Sequence, residues 1–194
     1  MASAPRTKRP IESDEEAQFD DVLVKLYRCA CVVKGGRRFS FGALVVVGDR
    51  RGRVGCGYGK ANEVPPAVEK GIKQARRGLQ SVPLRGNTIP HRVIGRFGSS
   101  RVVMIPAAEG TGVIAGSAPR AVLELAGVKD VLTKVYGSSS PKNLVKATLN
   151  GLAQLRSREQ VEKLRGVKLW LPRRAAQSDA APASTETYVD PRPE

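Results

Sequence analysis

The sequence predicts an α+β protein with two small domains, each built from β-strands followed by helices. Its first third alternates short apolar segments with glycine-bearing turns, which is typical of an antiparallel meander. A helix-spaced apolar pattern follows the meander, and a second set of strands and helices begins near residue 89. The chain of 194 residues is long enough for two such domains. It has no run of about 18 apolar residues, so it predicts neither a membrane span nor a secretory signal.

Three strands are predicted at the start of the first domain, over residues 23–33, 38–47 and 53–58. The second strand has apolar side chains on both faces, which predicts that it is buried. One of its faces carries Phe39, Phe41, Ala43, Val45 and Val47. The third strand has glycine at alternate positions, and these glycines predict either a bend or the close approach of another backbone. They are Gly55, Gly57 and Gly59.

A helix is predicted after the third strand, with Asn62 as its N-cap and two prolines in its first turn. Its apolar positions recur at helical spacing and are expected to pack on the sheet: Val68, Ile72, Ala75 and Leu79. The opposite side of this helix is basic. That side is either an ordinary solvated face or a direct contact with RNA.

The second domain is predicted to contain strands over residues 89–96, 101–105 and 130–136, and helices over residues 119–126, 141–155 and 159–164. Composition divides the chain into five parts. They are a disordered arm (1–18), the first domain (19–82), a linker (83–88), the second domain (89–166) and a disordered tail (167–194).

Positive charge is the strongest functional signal in the sequence. The formal net charge is +15, and residues 22–100 contain 16 basic side chains against 3 acidic ones. This excess predicts a polyanionic partner, and a merely soluble basic surface is the alternative. Cations and glycines cluster in two turns beside the second strand. With one lysine that follows the predicted third strand, they give the predicted RNA-binding set: Lys34, Gly35, Gly36, Arg37, Arg38, Arg50, Arg51, Arg53 and Lys60.

Nothing in the sequence indicates catalysis, a metal site or a cofactor. The glycine-rich stretch that ends at Lys60 fails as a Walker loop, because Val54 replaces a required glycine and Ala61 replaces the following Ser or Thr. His91 is the only histidine, and the three cysteines contain no CxxC pair. We therefore expect a binding protein and not an enzyme. A phosphate-handling enzyme built on the second domain is an unfavoured alternative.

The kind of RNA is indicated by the scarcity of aromatic residues, which make up 5% of the chain. Single-stranded RNA is usually bound on a sheet face that exposes several aromatic rings. Cationic loops and a basic helix suit a folded, double-helical RNA recognised through its phosphates, 2′-hydroxyls and shape. We therefore expect recognition of shape and not of sequence.

Three segments closely resemble the ribosomal protein S5 family, the fifth protein of the bacterial small ribosomal subunit. They are VKGGRRFSFGALVVVGD, GRVGCGYGKANEVPPAVEKGIKQARR and EGTGVIAGSAPRAVLELAGVKDVLTKVYGSSSP. The resemblance extends from about residue 19 to residue 166. It implies two two-layer domains, a βββα domain like a double-stranded-RNA-binding fold and a βββαβα domain.

The function implied by this resemblance is structural. A member would bind ribosomal RNA, stabilise the head of the subunit relative to its body and contribute to translational accuracy. It would be cytoplasmic and ribosome-bound, outside any membrane, and would not form a homo-oligomer. A free-standing regulator that binds double-stranded RNA is the alternative.

The resemblance also implies roles for two segments. Residues 34–38 correspond to a finger that reaches ribosomal RNA near the junction of head and body. A second surface is similar to the one that meets protein four of the subunit, and it comprises Glu109, Gly110, Thr111, Gly112 and Arg120. Protein eight is implied as another neighbour, and the basic side is implied to lie near the entry channel for messenger RNA.

Overall fold

A computed structural model describes residues 19–167 of the chain. The predicted arm (1–18) and the predicted tail beyond residue 167 lie outside the described residues. The described part divides into a compact unit that ends at Ser157 and a second unit that begins at Arg158. No helix in residues 19–167 is both long enough and apolar enough to cross a membrane.

The first sheet has four antiparallel strands in the order β1-β2-β3-β4. Its strands are β1 (Asp20–Val33), β2 (Gly36–Gly48), β3 (Arg53–Ala61) and β4 (Gln80–Ser81), and helix α1 (Val64–Arg77) packs on it. The three predicted strands are confirmed, although each is longer than predicted. The two-residue β4 is too short to leave a periodic pattern in the sequence.

Strand β2 is buried on both faces along its second half. Ala43, Val45 and Val47 face α1, whereas Leu44 and Val46 belong to the larger hydrophobic cluster on the other side of the sheet. The prediction of a buried strand is thus confirmed for this half. The prediction is wrong for the first half, where Phe39 is 46% exposed. This part of β2 extends beyond the helices that cover its second half.

The alternating glycines of β3 are explained by the closeness of α1. A Cβ atom on Gly57 would collide with the carbonyl oxygen of Gly71, and one on Gly59 would collide with that of Ala67. The helix backbone therefore lies almost directly on the strand, as the alternation predicted. Of the two expected alternatives, close approach is the one observed.

This close approach changes which side of α1 is buried. Ala75 is buried as predicted, and the half-buried Val68 and Ile72 pack against the same cluster. The other buried positions are the small residues Ala67 and Gly71, and the predicted Leu79 lies beyond the end of the helix. The predicted N-cap was also wrong. Glu63 occupies that position in an extended conformation, without a side-chain cap.

The second sheet has the strand order β5-β6-β8-β7, in which β7 is parallel to β8 and the other pairs are antiparallel. Its strands are β5 (Val93–Phe97), β6 (Ser100–Pro106), β7 (Val113–Ile114) and β8 (Val131–Gly137). Helices α2 (Ser117–Ala126) and α3 (Pro141–Ala153) pack on one face of this sheet. The element order is therefore βββαβα, as the resemblance implied.

Three details of the second domain differ from the sequence prediction. Strand β5 begins at Val93, so His91 lies exposed in a bend and not in a strand. Strand β7 was not predicted, and α2 begins two residues early with Gly116 as its N-cap. The predicted end of α2 is confirmed, because Gly127 takes a left-handed conformation at φ 90°.

Both sheets contribute to one hydrophobic cluster. Val46 and Val54 of the first sheet belong to the same cluster as Val102 and Met104 of the second. The segment predicted as a linker (83–88) forms an ordered turn, and its Asn87 carbonyl accepts the N–H groups of residues 129 and 130 at 2.8 and 3.0 Å. The exact domain boundaries stay a prediction.

The second unit begins with helix α4 (Arg158–Arg165), which was predicted over residues 159–164. The Nε atom of Arg158 donates to Oε1 of Glu162 at 2.7 Å. An ion pair four residues apart supports a helix with no buried side chain.

We expect Gly57→Ala to destabilise the protein by roughly 1–3 kcal/mol, because the new methyl group would force α1 away from β3. The matched control is Gly35→Ala, since a Cβ on Gly35 would have no atom within 4 Å. Urea unfolding of both variants measures the difference. Equal stability of the two variants would contradict the close contact.

Candidate nucleic-acid interface

The most prominent surface feature is a β-hairpin that extends beyond the core. We define the finger as residues 28–41, in which the pairing runs from Arg28 opposite Phe41 to Val33 opposite Gly36. Six residue pairs at about 3.3 Å each make the finger roughly 20 Å long. Its side chains are exposed or half-buried throughout. The finger can therefore enter a groove that the body of the protein cannot.

The tip of the finger is a two-residue turn formed by Lys34 and Gly35. Gly36 follows it at φ 148°, a value that L side chains rarely adopt. Arg37 and Arg38 come next and are exposed, as is Lys34. The structure therefore brings all five predicted residues of this loop together at one tip.

Two further cations lie on this hairpin, and sequence reasoning missed them. Arg28 is on the finger itself, and Lys25 is just below it on β1. No acidic residue occurs anywhere in residues 22–48. The absence of acidic residues from this stretch was the signal that the sequence offered. It means that no carboxylate close in sequence can pair with a cation of the finger.

Phe39 has a surface role in place of the predicted core role. The Cζ atom of Arg28 lies 4.7 Å from the centre of the Phe39 ring, which is a cation–π contact. The ring and the guanidinium form an exposed pair on the finger. Such a pair suits contact with a nucleic-acid backbone or base.

The second predicted cationic loop, residues 48–53, has a different geometry. The N–H of Arg50 donates to the carbonyl of Leu125 at 3.0 Å, and the N–H of Gly52 donates to Ala126 at 3.0 Å. Arg50 also forms an exposed ion pair with Asp20 at 2.8 Å. The loop therefore closes the last turn of α2, a role that its composition did not indicate.

Asp49 organises this loop from within. One of its carboxylate oxygens accepts the N–H groups of Arg51 and Arg53 at 2.8 and 2.9 Å, and the other accepts Nε of Arg53 at 2.8 Å. Burial alone would raise the pKa of Asp49, but the bond from the Arg53 side chain and the two backbone bonds together hold it below its ordinary value. Arg53 therefore contributes to the structure of the loop, whereas the Arg51 side chain is exposed.

Lys60 lies at the base of the finger, on the strand position opposite Gly42. It is exposed, and with Lys70 of α1 and Glu63 it lines a shallow groove beside Ser40. Lys60 is therefore continuous with the basic finger and separate from the loop at residues 48–53. The predicted RNA-binding residues thus fall into two groups.

The segment that resembles a protein-binding surface forms an exposed loop before β7. Gly110 and Gly112 have φ values of 84° and 76°, and the N–H of Gly112 donates to Oδ1 of the buried Asp130 at 2.9 Å. The side chain of Thr111 donates to the Ala108 carbonyl at 2.8 Å. These bonds fix the loop and leave residues 109–111 exposed.

Arg120 projects from the first half of α2. Its side chain is exposed, and its Nη2 atom donates to the Ala115 carbonyl at 3.0 Å. One guanidinium nitrogen is thus anchored, which restricts the orientation of the charge. A restricted arginine loses less entropy when it binds a carboxylate.

One lysine that looks suited to RNA instead connects helix α3 to the first sheet. The Nζ atom of Lys142, at the start of α3, lies 3.4 Å from the centre of the Tyr58 ring and 4.9 Å from that of Tyr27. The two tyrosines make an edge contact with centroids 6.3 Å apart. This half-buried charge is already used within the protein and is a poor candidate for RNA.

In residues 19–167 no group of three or more His, Cys, Asp or Glu side chains is placed to hold a metal ion. Burial raises the pKa of the Cys56 thiol, and the nearby charge of Lys146 acts weakly in the opposite direction. A thiol with a raised pKa is a poor nucleophile at neutral pH.

Comparison with known proteins shows two family matches. Residues 19–83 match the family described as "Ribosomal protein S5, N-terminal domain", and residues 95–165 match "Ribosomal protein S5, C-terminal domain". Proteins named "Small ribosomal subunit protein uS5" are similar to this chain. The one from Rubrobacter xylanophilus is 58% identical over 86% of this chain and 83% of its own length. The corresponding values are 57%, 85% and 95% for Rhodopirellula baltica, and 56%, 77% and 93% for Thermus thermophilus.

The network around Asp49 predicts a specific dependence of stability on pH. Because the pKa of Asp49 in the folded state lies below the ordinary value of 3.8, its contribution is present above that value and is lost as the pH falls through the folded pKa. We expect Asp49→Ala to cost roughly 2 kcal/mol at neutral pH, because three donors, two of them partly buried, lose a charged acceptor. We also expect the variant to lose less stability than the wild type on acidification.

The matched control is Asp21→Ala, which removes an exposed carboxylate from the same sheet. Urea unfolding between pH 3 and pH 7 measures both variants. If the two variants show the same stability and the same pH profile, Asp49 does not organise the loop.

Proposed function

Because the chain belongs to the ribosomal protein S5 family, whose members are structural and non-enzymatic components of the small ribosomal subunit, we propose that its finger is a principal contact with ribosomal RNA. Binding of ribosomal RNA and a place on the cytoplasmic ribosome follow from family membership. The free-standing regulator of double-stranded RNA is therefore not retained.

The observation that carries the proposal is the exposed, acid-free finger. Lys34, Arg37 and Arg38 lie at its tip, and Arg28 lies on its side. Each phosphate neutralised by such a cation releases counterions, which gives affinity without base recognition. A narrow projection suits a groove or junction of folded RNA, where several phosphates approach from different sides.

The finger also has too little buried surface to be rigid alone. Two-stranded hairpins are marginally stable in water, and Val32 at its end is 75% exposed. Contact with RNA would order the hairpin and cover this apolar side chain. Binding and ordering of the finger are therefore one step in this proposal.

Of the second cationic loop, Arg51 is the most suitable contact, because Arg50 and Arg53 take part in ion pairs within the protein. Lys60 extends the basic surface from the finger toward α1. The RNA-binding surface is thus centred on the finger, with the loop at residues 48–53 at its periphery.

The anchored loop and Arg120 are proposed to bind protein four of the subunit. The support is a pre-ordered, exposed segment with one acidic and one basic side chain, Glu109 and Arg120. Protein eight and the messenger RNA near its entry channel are proposed as further neighbours. A protein that joins RNA and protein neighbours in this way would stabilise the head relative to the body and influence translational accuracy.

The finger is tested by the charge reversals Arg37→Glu and Arg38→Glu in one chain. We expect the affinity for small-subunit ribosomal RNA to fall by about tenfold or more. We also expect the slope of log affinity against log salt to decrease by about two, because two phosphate contacts are lost. Filter binding at several salt concentrations measures both quantities.

The control reverses two exposed arginines on the last turn of α1, Arg76→Glu and Arg77→Glu, and therefore makes the same change in net charge. We expect a smaller loss for this pair. Equal losses for both pairs would mean that net charge, and not the finger, determines affinity.

The protein contact is tested by Arg120→Glu, which reverses the anchored charge. We expect binding of isolated protein four to weaken by roughly tenfold, the cost of losing one charged contact at an interface. Titration calorimetry measures this binding. Lys129→Glu, at another exposed position of the same domain, is expected to bind as the wild type does, and an unaffected Arg120→Glu variant would reject the assignment.

A further inference from the structure

The second sheet is covered by helices on one face only. Val102 and Met104 of β6 point into the core, where Met104 approaches Gly151 of α3. Alternate residues of the same strands point the opposite way, and in residues 19–157 no element packs over them. We call this opposite side the outer face.

Aliphatic side chains form a continuous row across the outer face. Ile105 of β6 is paired with Leu132 of β8, and Leu132 is paired with Ile114 of β7. These three side chains are 39%, 38% and 52% exposed. Ile94 and Val103 are paired beside them. Single exposed aliphatic residues are ordinary, whereas a contiguous group of five marks a surface that becomes covered.

The other half of the outer face is basic. Arg96, Arg101 and Tyr136 lie side by side across three strands, and Lys134 lies between them and the aliphatic row. All four are exposed. None of the strands β5–β8 contains an acidic residue. A partner that complements this half carries negative charge.

We propose that the outer face docks a neighbouring protein that presents aliphatic side chains beside a cluster of carboxylates. The aliphatic row favours protein over RNA, because RNA has no apolar surface that needs three adjacent aliphatic side chains. A stacking platform for single-stranded RNA would need more than the one aromatic ring that this face provides, Tyr136. Apolar contacts at the centre with charges at the rim are typical of protein interfaces.

This surface differs from the two surfaces to which the proposed function assigns partners. The finger and the loop at residues 109–112 are separate from the outer face. Ile114 of β7 nevertheless lies only two residues after the end of that loop. The outer face would therefore extend a protein-binding region from the loop across the sheet. The docking surface is inferred from the second sheet alone. It rests on the proposed function only in that the test uses small ribosomal subunits that contain this protein.

The test replaces Tyr136 with the photocrosslinking residue p-benzoylphenylalanine in the full chain, assembled into small subunits. After irradiation we expect an adduct that survives RNase and contains an acidic peptide of another protein. A parallel replacement at Phe39 on the finger, which is expected to crosslink ribosomal RNA, reports on the proposed function separately.

An adduct with RNA at position 136 would overturn the docking proposal whatever the result at position 39. The absence of any adduct at position 136, in particles where other photoadducts form, would do the same. Failure at position 39 alone would count against the finger and leave the outer face supported.

A second variant separates docking from simple nearness. Ile114→Asn with Leu132→Asn removes two members of the aliphatic row, and we expect the crosslinking yield at position 136 to fall by at least about fivefold. Leu164→Asn changes a 70% exposed leucine of α4 and should leave the yield unchanged. An undiminished yield in the double variant would contradict docking through the aliphatic row.

Discussion

The burial of β2 on both faces is the constraint on which the rest of the structure depends. Val45 faces α1 while Val46, next in the chain, faces the cluster shared with the second sheet. One strand thus joins two layers of packing, and neither layer can move without disturbing it. The same strand continues into the finger and is paired with β1 along its length, with one irregularity in β1 between Leu23 and Lys25. The finger is therefore exposed along its length but held firmly at its base.

Close packing around β2 limits which residue types the neighbouring segments can contain. Gly57 and Gly59 of β3 are glycines because the backbone of α1 occupies the space where their side chains would lie. The loop after β2 has a similar limit, because a Cβ on Gly127 would collide with the Arg50 carbonyl. Charged residues of that loop are consequently fitted to the end of α2, and Asp49 completes their hydrogen bonding. Composition alone made this loop look equivalent to the tip of the finger.

The fold class, the longer strands and helices and the tip of the finger were predictable from the sequence, because each leaves a local pattern. Alternation indicated β2, and a glycine after the last apolar position indicated the end of α2 at Gly127. The local failures were the N-cap of α1 and the two-residue strands β4 and β7. The other failures depended on contacts between distant parts of the chain. The sequence cannot show that β2 extends beyond its helices, so Phe39 was assigned to the core. Nor can it show that Lys142 meets two tyrosines distant in sequence. The buried side of α1 was shifted for the same reason, since glycines on another strand selected it.

The positive charges of this protein therefore have different roles, depending on whether the backbone that carries them is packed or exposed. Where the backbone is packed, as at Arg53 and Lys142, a carboxylate or an aromatic ring within the protein already engages the cation. Where the backbone is exposed on both sides, as at Arg37 and Arg38, the core offers no partner and residues 22–48 contain no carboxylate. Repulsion among such cations opposes ordering of the free hairpin, and a polyanion removes that repulsion when it binds. The same charges that destabilise the ordered finger in the free protein would therefore stabilise it when it is bound to RNA.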